Sequence, residues 1–387
     1  MNARIVGWGH TPFGVHKDKS FETLILEAAR EAIAHAGIEP ADIDEVWLGH
    51  FNAGMVPAAF ASSLALGLDP VMRFKPATRC ENACASGGAA IYAARDAIGA
   101  GRVRTALVIG AEKMTDLDTR GVTQALGRAA YQPDEAGLSF PGIFAKFAEA
   151  YFEAFGDQSE TLARIAVKNH ANALNNPLAH LRKAFDLAAC NTVSDRNPMI
   201  AAPLRLTDCS PISDGAAAVV MVADDMVGDF PRAVGFRAAV QMNDFLPLKG
   251  RDLTRLEAAH HAFAAAFDAA GIGLDDLDLA EVHDCFTIAE LMICEAMGLA
   301  SVGQGAGLIA EGATLRGGRL PVNVSGGLKA KGHPVGATGV SMHITAAKHV
   351  TGLAPTEEQI AGAELAAVYN MGGSGVANYC SILEAVK

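Results

Sequence analysis

The sequence predicts an α/β protein built from two related βα halves with a mostly helical segment inserted between them. Three observations carry this: a weak internal repeat, alternating strand and helix signals in both halves, and a change of texture between them. The repeat reads LEAAREAIAHAGIEPADIDEVWLGHF from Leu26 to Phe51, and FAAAFDAAGIGLDDLDLAEVHDCF from Phe263 to Phe286. Aligning Ala36-Gly37-Ile38 with Ala270-Gly271-Ile272 sets Asp42 over Asp276 and Asp44 over Asp278. In each copy an amphipathic helix stops at glycine, an acidic turn follows and an apolar strand comes next. Alternation of this kind belongs to an α/β class with covered sheets.

The elements follow in order. Residues 1–115 open the first half with a short apolar strand into Gly7-Trp8-Gly9. Pro12 stands where the third glycine of a dinucleotide fingerprint belongs. After the first repeat copy comes RCENACASGGAAIYAARDAI from Arg79, uncharged between Ala83 and Ala94 and stopped by Gly99 and Gly101. Its alanines favour helix, its lack of charge predicts burial, and Gly87-Gly88 predict the close approach of another backbone. Residues 116–205 hold helix-like runs, IFAKFAEAYFEAFG and TLARIAVKNHANALNNP, with few strand signals. DGAAAVVMVAD from Asp214 reads as a buried strand returning to the first sheet, which assigns 206–232 to the first half. Residues 233–387 form the second half. There NVSGGLKAKGHPVGATGVSMHITAA carries Gly327 and Gly332 at phosphate-loop spacing, but His333 replaces the essential lysine.

Cys84 and His333 each open a small, uncharged segment, one in each half. A pseudo-dyad between the halves would bring the two entrances to one central site. A cysteine at the positive end of a buried helix is expected to have a lowered thiol pKa, although an inert core cysteine fits the segment as well. His333, between Gly332 and Pro334, reads as part of an exposed turn. Cys80 reads as a strand-end packing residue. Cys80 and Cys84 have no second close pair beside them, so no metal site is expected.

Composition narrows the function classes. Half of the 387 residues are hydrophobic and 19% are charged, enough to bury large cores. A net charge of −12 argues against coating nucleic acid. No apolar run is long enough for a membrane span. MNARIVGWGHTPFG lacks a signal-peptide pattern, SILEAVK carries no peroxisomal tripeptide, and seven cysteines read as thiols in a reducing compartment. Cytoplasm is the expected location.

Five motifs, CASGG at Cys84, LTDCSPISDGAAAVV at Leu206, VHDCF at Val282, GHPVGATG at Gly332 and NMGGSG at Asn370, together resemble the thiolase superfamily. The likeness runs along essentially the whole chain. It is closest to the sterol-carrier-protein type and to related bacterial and archaeal acetyl-CoA acetyltransferases. The resemblance implies a thiolase-like fold and an acyl-CoA C-acyltransferase performing Claisen condensation of acyl-CoAs or thiolysis of 3-oxoacyl-CoA. It implies Cys84 as the acylated nucleophile and His333 as its activator. The better-known thiolases carry a second cysteine in a C-terminal CxG loop, where this chain has Asn370. Cys285 of the VHDCF motif matches the alternative source of that base, and His283 takes the place of an oxyanion-hole asparagine. Coenzyme A is then substrate, with no permanently bound cofactor. Its channel is expected to include Ser325 and Gly326, and its phosphates to meet Arg182 and Lys183, with Lys168 and Arg205 as further cations. A homodimer or homotetramer is implied, and a small OB-fold partner is open. Two other readings compete: a non-catalytic or partner-dependent acyl-CoA-binding subunit, and a related condensing enzyme or retro-aldolase.

Overall fold

The computed structural model describes residues 2–387. The first half runs β1 (Ala3–His10), α1 (Phe21–Ala36), β2 (Glu45–Gly49), the single turn α2 (Ala61–Leu64), β3 (Ala77–Cys80), α3 (Ser86–Gly99) and β4 (Thr105–Glu112). Five helices follow: α4 (Thr119–Gly127), α5 (Gln132–Glu135), α6 (Phe140–Phe155), α7 (Ser159–Ala173) and α8 (Leu187–Asn191). A small hairpin, β5 (Met199–Ala201) and β6 (Leu204–Arg205), then leads to β7 (Gly215–Ala223). The second half comprises β8 (Val234–Asn243), α9 (Glu257–Ala270), β9 (Leu279–Val282), α10 (Thr287–Ala296), α11 (Gly305–Ala310), α12 (Gly327–Lys331), α13 (Thr338–Val350), β10 (Leu365–Gly372) and β11 (Ala377–Ala385).

Nine strands form one sheet in the order β3-β2-β4-β7-β1-β8-β11-β10-β9. The order is a palindrome about the β1–β8 seam, where Arg4 pairs with Gly235 and Ile5 with Val234. Outward from the seam, β7 answers β11, β4 answers β10 and β2 answers β9. Strand directions match too: β4–β7 and β10–β11 are antiparallel, β2–β4 and β9–β10 parallel. Beyond β9, Val322 bridges to Ala280 in parallel, at the place that β3 occupies in the first half. The duplication read in the sequence is therefore a duplication of topology.

Local signals account for the repeated unit. Ser20 caps α1 by accepting the Thr23 N–H at 3.0 Å. Both α1 and α9 stop at glycines in the left-handed region, Gly37 (φ 75°) and Gly271 (φ 65°). Every residue of β7, GAAAVVMVA, is buried, as a strand covered on both faces requires. Helix α1 packs on β1, β7 and β4, and α9 on β8 and β11. Helices α3 and α13 pack on each other, and α13 also touches strands of both sheet halves. These two helices form the middle layer, and their N-terminal ends meet. A Cβ on Gly87 would lie 2.8 Å from the Gly336 carbonyl oxygen, and one on Gly339 would strike the Gly88 backbone and the Asn370 side chain. The small residues of RCENACASGG thus admit the facing half of the duplicated fold.

The segment after β4 closes over this junction. Phe144 of α6 stacks on Phe286 with ring centroids 4.6 Å apart, tying the helical segment to the VHDCF loop. Among the described residues, no helix is long and apolar enough to cross a membrane.

Candidate active site

Four segments converge at the junction of α3 and α13. The turn Asn82–Ser86 presents Cys84. Ser86 Oγ accepts the Asn82 N–H at 3.0 Å and donates to the Ala83 carbonyl at 2.6 Å, and Ala83 is held at φ 49°. A non-glycine residue in that region stores strain, and here it turns the next side chain out of the helix path. The loop from β9 to α10 supplies His283 and Cys285. The loop from α12 to α13 supplies His333, and β10 supplies Asn370. All four of Cys84, His283, Cys285 and His333 are buried. The Cys84 sulfur and one nitrogen of each imidazole lie within 4.8 Å of one another. Two imidazoles and a thiol are ligand types that a soft or borderline metal accepts, although the sequence pattern pointed to none.

Hydrogen bonds assign the two imidazoles opposite roles. Thr338 Oγ1 donates to the Pro334 carbonyl at 3.1 Å, so at 2.7 Å it accepts from His333 Nδ1–H. His333 Nε2 then carries a lone pair, and it is buried with no partner. Asn370 Oδ1 accepts the Gly88 N–H at 3.2 Å, which orients the amide. Its Nδ2 donates to the Cys84 carbonyl at 3.2 Å and to His283 Nδ1 at 3.1 Å. His283 Nε2 must then carry the proton. One imidazole is a base and the other a hydrogen-bond donor, their rings edge to face with centroids 5.0 Å apart.

Burial sets the charge states. It pushes the His333 pKa down to about 3, and burial with the neighbouring His333 holds His283 well below the usual histidine range. Both rings are neutral near pH 7. The Cys84 thiol is pushed up to about 12 by burial, against a hydrogen bond from the Gly373 backbone; Glu112 pushes it further upward. This corrects the expectation of a lowered pKa. Burial of the thiol outweighs the helix end, and Cys84 sits two residues before α3. The expected exposed turn at His333 is likewise replaced by a buried one. Cys285 is raised well above its ordinary value by burial, with Cys84 and Asp284 adding to it.

A second layer of hydrogen bonds holds the loops. Asp284 accepts the Leu328 N–H (2.7 Å) and Lys329 N–H (3.2 Å) of α12 and the Asn169 amide (2.7 Å) of α7. Burial, with Glu290 nearby, raises its pKa to about 7. The Glu112 carboxylate accepts N–H groups of Phe51 and Asn52 from one half and Gly336 from the other. Over Cys84 opens a cavity of about 360 Å³, lined also by Cys285, His333, Cys209, Phe286, Val122 and Phe140.

The remaining expected residues lie elsewhere. Ser325 Oγ donates to Glu281 at 2.6 Å, and Ser325 borders a separate cavity of about 50 Å³. Gly326, at φ 102°, begins α12 against Ala173. Arg182 and Lys183 are exposed. They follow a stretch in which His180 and Leu181 hydrogen-bond to the carbonyls of Lys331 and Ala330. Lys168 and Arg205, expected as phosphate contacts, are instead buried in ion pairs with Glu290 (2.7 Å) and Asp208 (2.8 Å). Sequence reasoning saw Asn370 only as a departure, and it missed Cys209, Thr338 and the apolar lining. Asn370, Thr338 and Cys209 lie in the NMGGSG, GHPVGATG and LTDCSPISDGAAAVV motifs, which carried the available signal.

Comparisons with known proteins agree with this arrangement. Residues 3–225 match the family model described as Thiolase, N-terminal domain, and residues 244–385 match Thiolase C-terminal domain-like. The chain is 39% identical over 379 residues to the acetyl-CoA acetyltransferase of Methanothermobacter thermautotrophicus, covering 96% of each. It is 29% identical over 390 residues to sterol carrier protein 2 of Bos taurus, covering 96% of this chain and 70% of that protein. A solved structure described as Ltp2-ChsH2(DUF35) aldolase superposes with a TM-score of 0.84 at 25% identity, covering 99% of this chain and 98% of that one.

Proposed function

The chain belongs to the thiolase family, and from that premise we propose how its four reactive side chains divide the work of an acyl-CoA acyltransferase. The single observation that carries the proposal is the pair of oppositely protonated imidazole nitrogens beside Cys84. His333 Nε2 takes the Cys84 proton as the sulfur attacks the thioester carbonyl of the first acyl-CoA. His283 Nε2–H donates to the carbonyl oxygen as it gains charge, where a buried donor is most effective. The coenzyme A thiolate leaves and takes a proton from Cys285. That leaves a Cys285 thiolate and a His333 imidazolium as a pair. The Cys285 thiolate removes the α-proton of the second acyl-CoA, and the carbanion attacks the acyl carbon on Cys84. The Cys84 sulfur leaves with the proton held on His333, and both thiols are restored. Thiolysis is the reverse sequence. Coenzyme A enters as substrate, and no step uses a resident cofactor or metal.

Further parts of the proposal are finer. Residues 1–115 with 206–232 form one half and 233–387 the other, around the inserted 116–205. Arg182 and Lys183, exposed after a stretch hydrogen-bonded to the carbonyls of Lys331 and Ala330, meet the phosphates. The protein works in the cytoplasm as a homodimer or homotetramer. A second reading, retro-aldol cleavage by an assembly with a small OB-fold partner, is favoured by the likeness to the DUF35-containing aldolase. That chemistry needs a base and an oxyanion donor but no acylated thiol.

Peptide-resolved mass spectrometry after brief incubation with acyl-CoAs separates the readings. Thiolase chemistry predicts an acyl adduct on Cys84, absent in Cys84→Ser, and an adduct that accumulates without condensation in Cys285→Ala. Absence of an adduct from every donor, with coenzyme A still bound, would favour the partner-dependent reading.

A further inference from the structure

The cavity over Cys84 is larger and more apolar than a two-carbon acyl group needs. At about 360 Å³ it is more than twice the roughly 150 Å³ of an apolar cavity that holds benzene. Its lining contains no Asp, Glu, Lys or Arg. The lining divides by depth. Val122, Phe140, Phe286 and Val335 are buried beside the reactive cysteines, whereas the hydroxyls of Thr119, Thr123 and Ser210 are exposed or half-buried toward the mouth. The amides of a pantetheine arm need hydrogen-bond partners, and the hydroxyl-lined outer part supplies them. The inner part offers only apolar surface to whatever sulfur-bound group lies there. At the rim, Ile200 and Leu206 keep 45% and 47% of their surface exposed, so the apolar lining continues to solvent.

We propose that the acyl group this enzyme loads onto Cys84 is bulky and apolar, with about six carbons or more as a chain or ring, in preference to acetyl. The inference rests on the acyl-transfer reading above and adds the substrate class to it. A chain or ring would exchange water for contacts with Val122, Phe140 and Phe286, and each further methylene adds to the discrimination.

The test compares acetyl-, hexanoyl-, octanoyl- and phenylacetyl-CoA. Rates of Cys84 acylation should favour one of the larger donors over acetyl by about tenfold or more. Acetyl loading as fast as the larger donors would overturn the inference and leave the acyl-transfer reading intact. Binding to Cys84→Ala, which cannot be acylated, tests the pocket without the chemistry. There octanoyl- or phenylacetyl-CoA should bind about tenfold tighter than acetyl-CoA, and equal affinities overturn the proposal. Val122→Phe should lower the octanoyl-to-acetyl loading ratio severalfold, with Leu126→Phe as a second filling variant should the first fail to fold. An unchanged ratio in a folded variant counts against the inference.

Discussion

Asn370 stands where many relatives of this fold keep a reactive cysteine, and its three hydrogen bonds explain what the exchange achieves. One amide links the Cys84 carbonyl, the Gly88 N–H at the start of α3, and His283 Nδ1. It thereby dictates which His283 nitrogen carries the proton. His283→Ala should lower kcat by about 10²–10³, the usual cost of losing an oxyanion donor. Asn370→Ala acts through His283 and should lower kcat by a smaller factor with KM nearly unchanged; steady-state kinetics with kcat within threefold of wild type would contradict the assignment. Cys84 and His333 were legible as candidates in the sequence because glycine-rich motifs surround them, and His283 and Cys285 through the VHDCF motif. Their ionisation was not. The Cys84 pKa is raised by burial among residues distant in sequence, including Phe51, Met114, Val122 and Val335, and no local pattern records that. The repeat makes the same point: it sets His283 over Gly49 and His50 over Asp284, and His50 is sealed against Glu112 at 2.9 Å.

At the level of elements, the contact between α3 and α13 is the structural precondition for the site. Gly87→Ala would press a methyl group toward the Gly336 carbonyl at 2.8 Å and the Val340 nitrogen at 3.0 Å. The cost should be about 1–3 kcal/mol of stability, measured by urea denaturation, and His333 should shift with the loop, lowering acylation rates as well. A substitution neutral in both would mean the two helices can separate without consequence. The close approach was readable from Gly87-Gly88, since glycine pairs in an alanine-rich helix have few other uses. The burial of Lys168 was not readable. Its partner Glu290 lies far along the chain on α10, and the local run TLARIAVKNHANA looks like any half-exposed helix. Arg205 was misread for a different reason: its partner Asp208 is only three residues away, in a single turn that brings the two side chains together.

For the whole molecule, the buried imidazoles set the dependence of stability on pH. Burial lowers His333 and His170 to about 3, and His343 and His349 to about 4, against an unfolded value near 6.5. As pH falls through 6.5 the unfolded chain takes up protons that the folded one refuses. Their contribution is complete above about pH 6.5 and is lost progressively toward pH 4, at up to about 1.4 kcal/mol per pH unit for each ring. Asp284, raised to about 7, and Glu295 and Glu358, also raised by burial, work in the opposite direction, but His10, His35, His180 and His283 are lowered too, so the imidazoles outnumber them. The urea midpoint should therefore drop steadily between pH 7 and 5; a flat profile would mean that the rings are not held neutral. The palindromic sheet was legible only as a repeat, because strand order is a long-range property. It also has a consequence for birth on the ribosome. β1 lies beside β7, with Ala3 opposite Ala223, so the first strand emerges and then waits for roughly 200 more residues. At about 5–20 residues per second that is about 10–40 s, during which an apolar strand has no partner. The nascent chain is bound to need chaperone cover during that interval, and the half that carries Cys84 cannot close before the ribosome has passed β7.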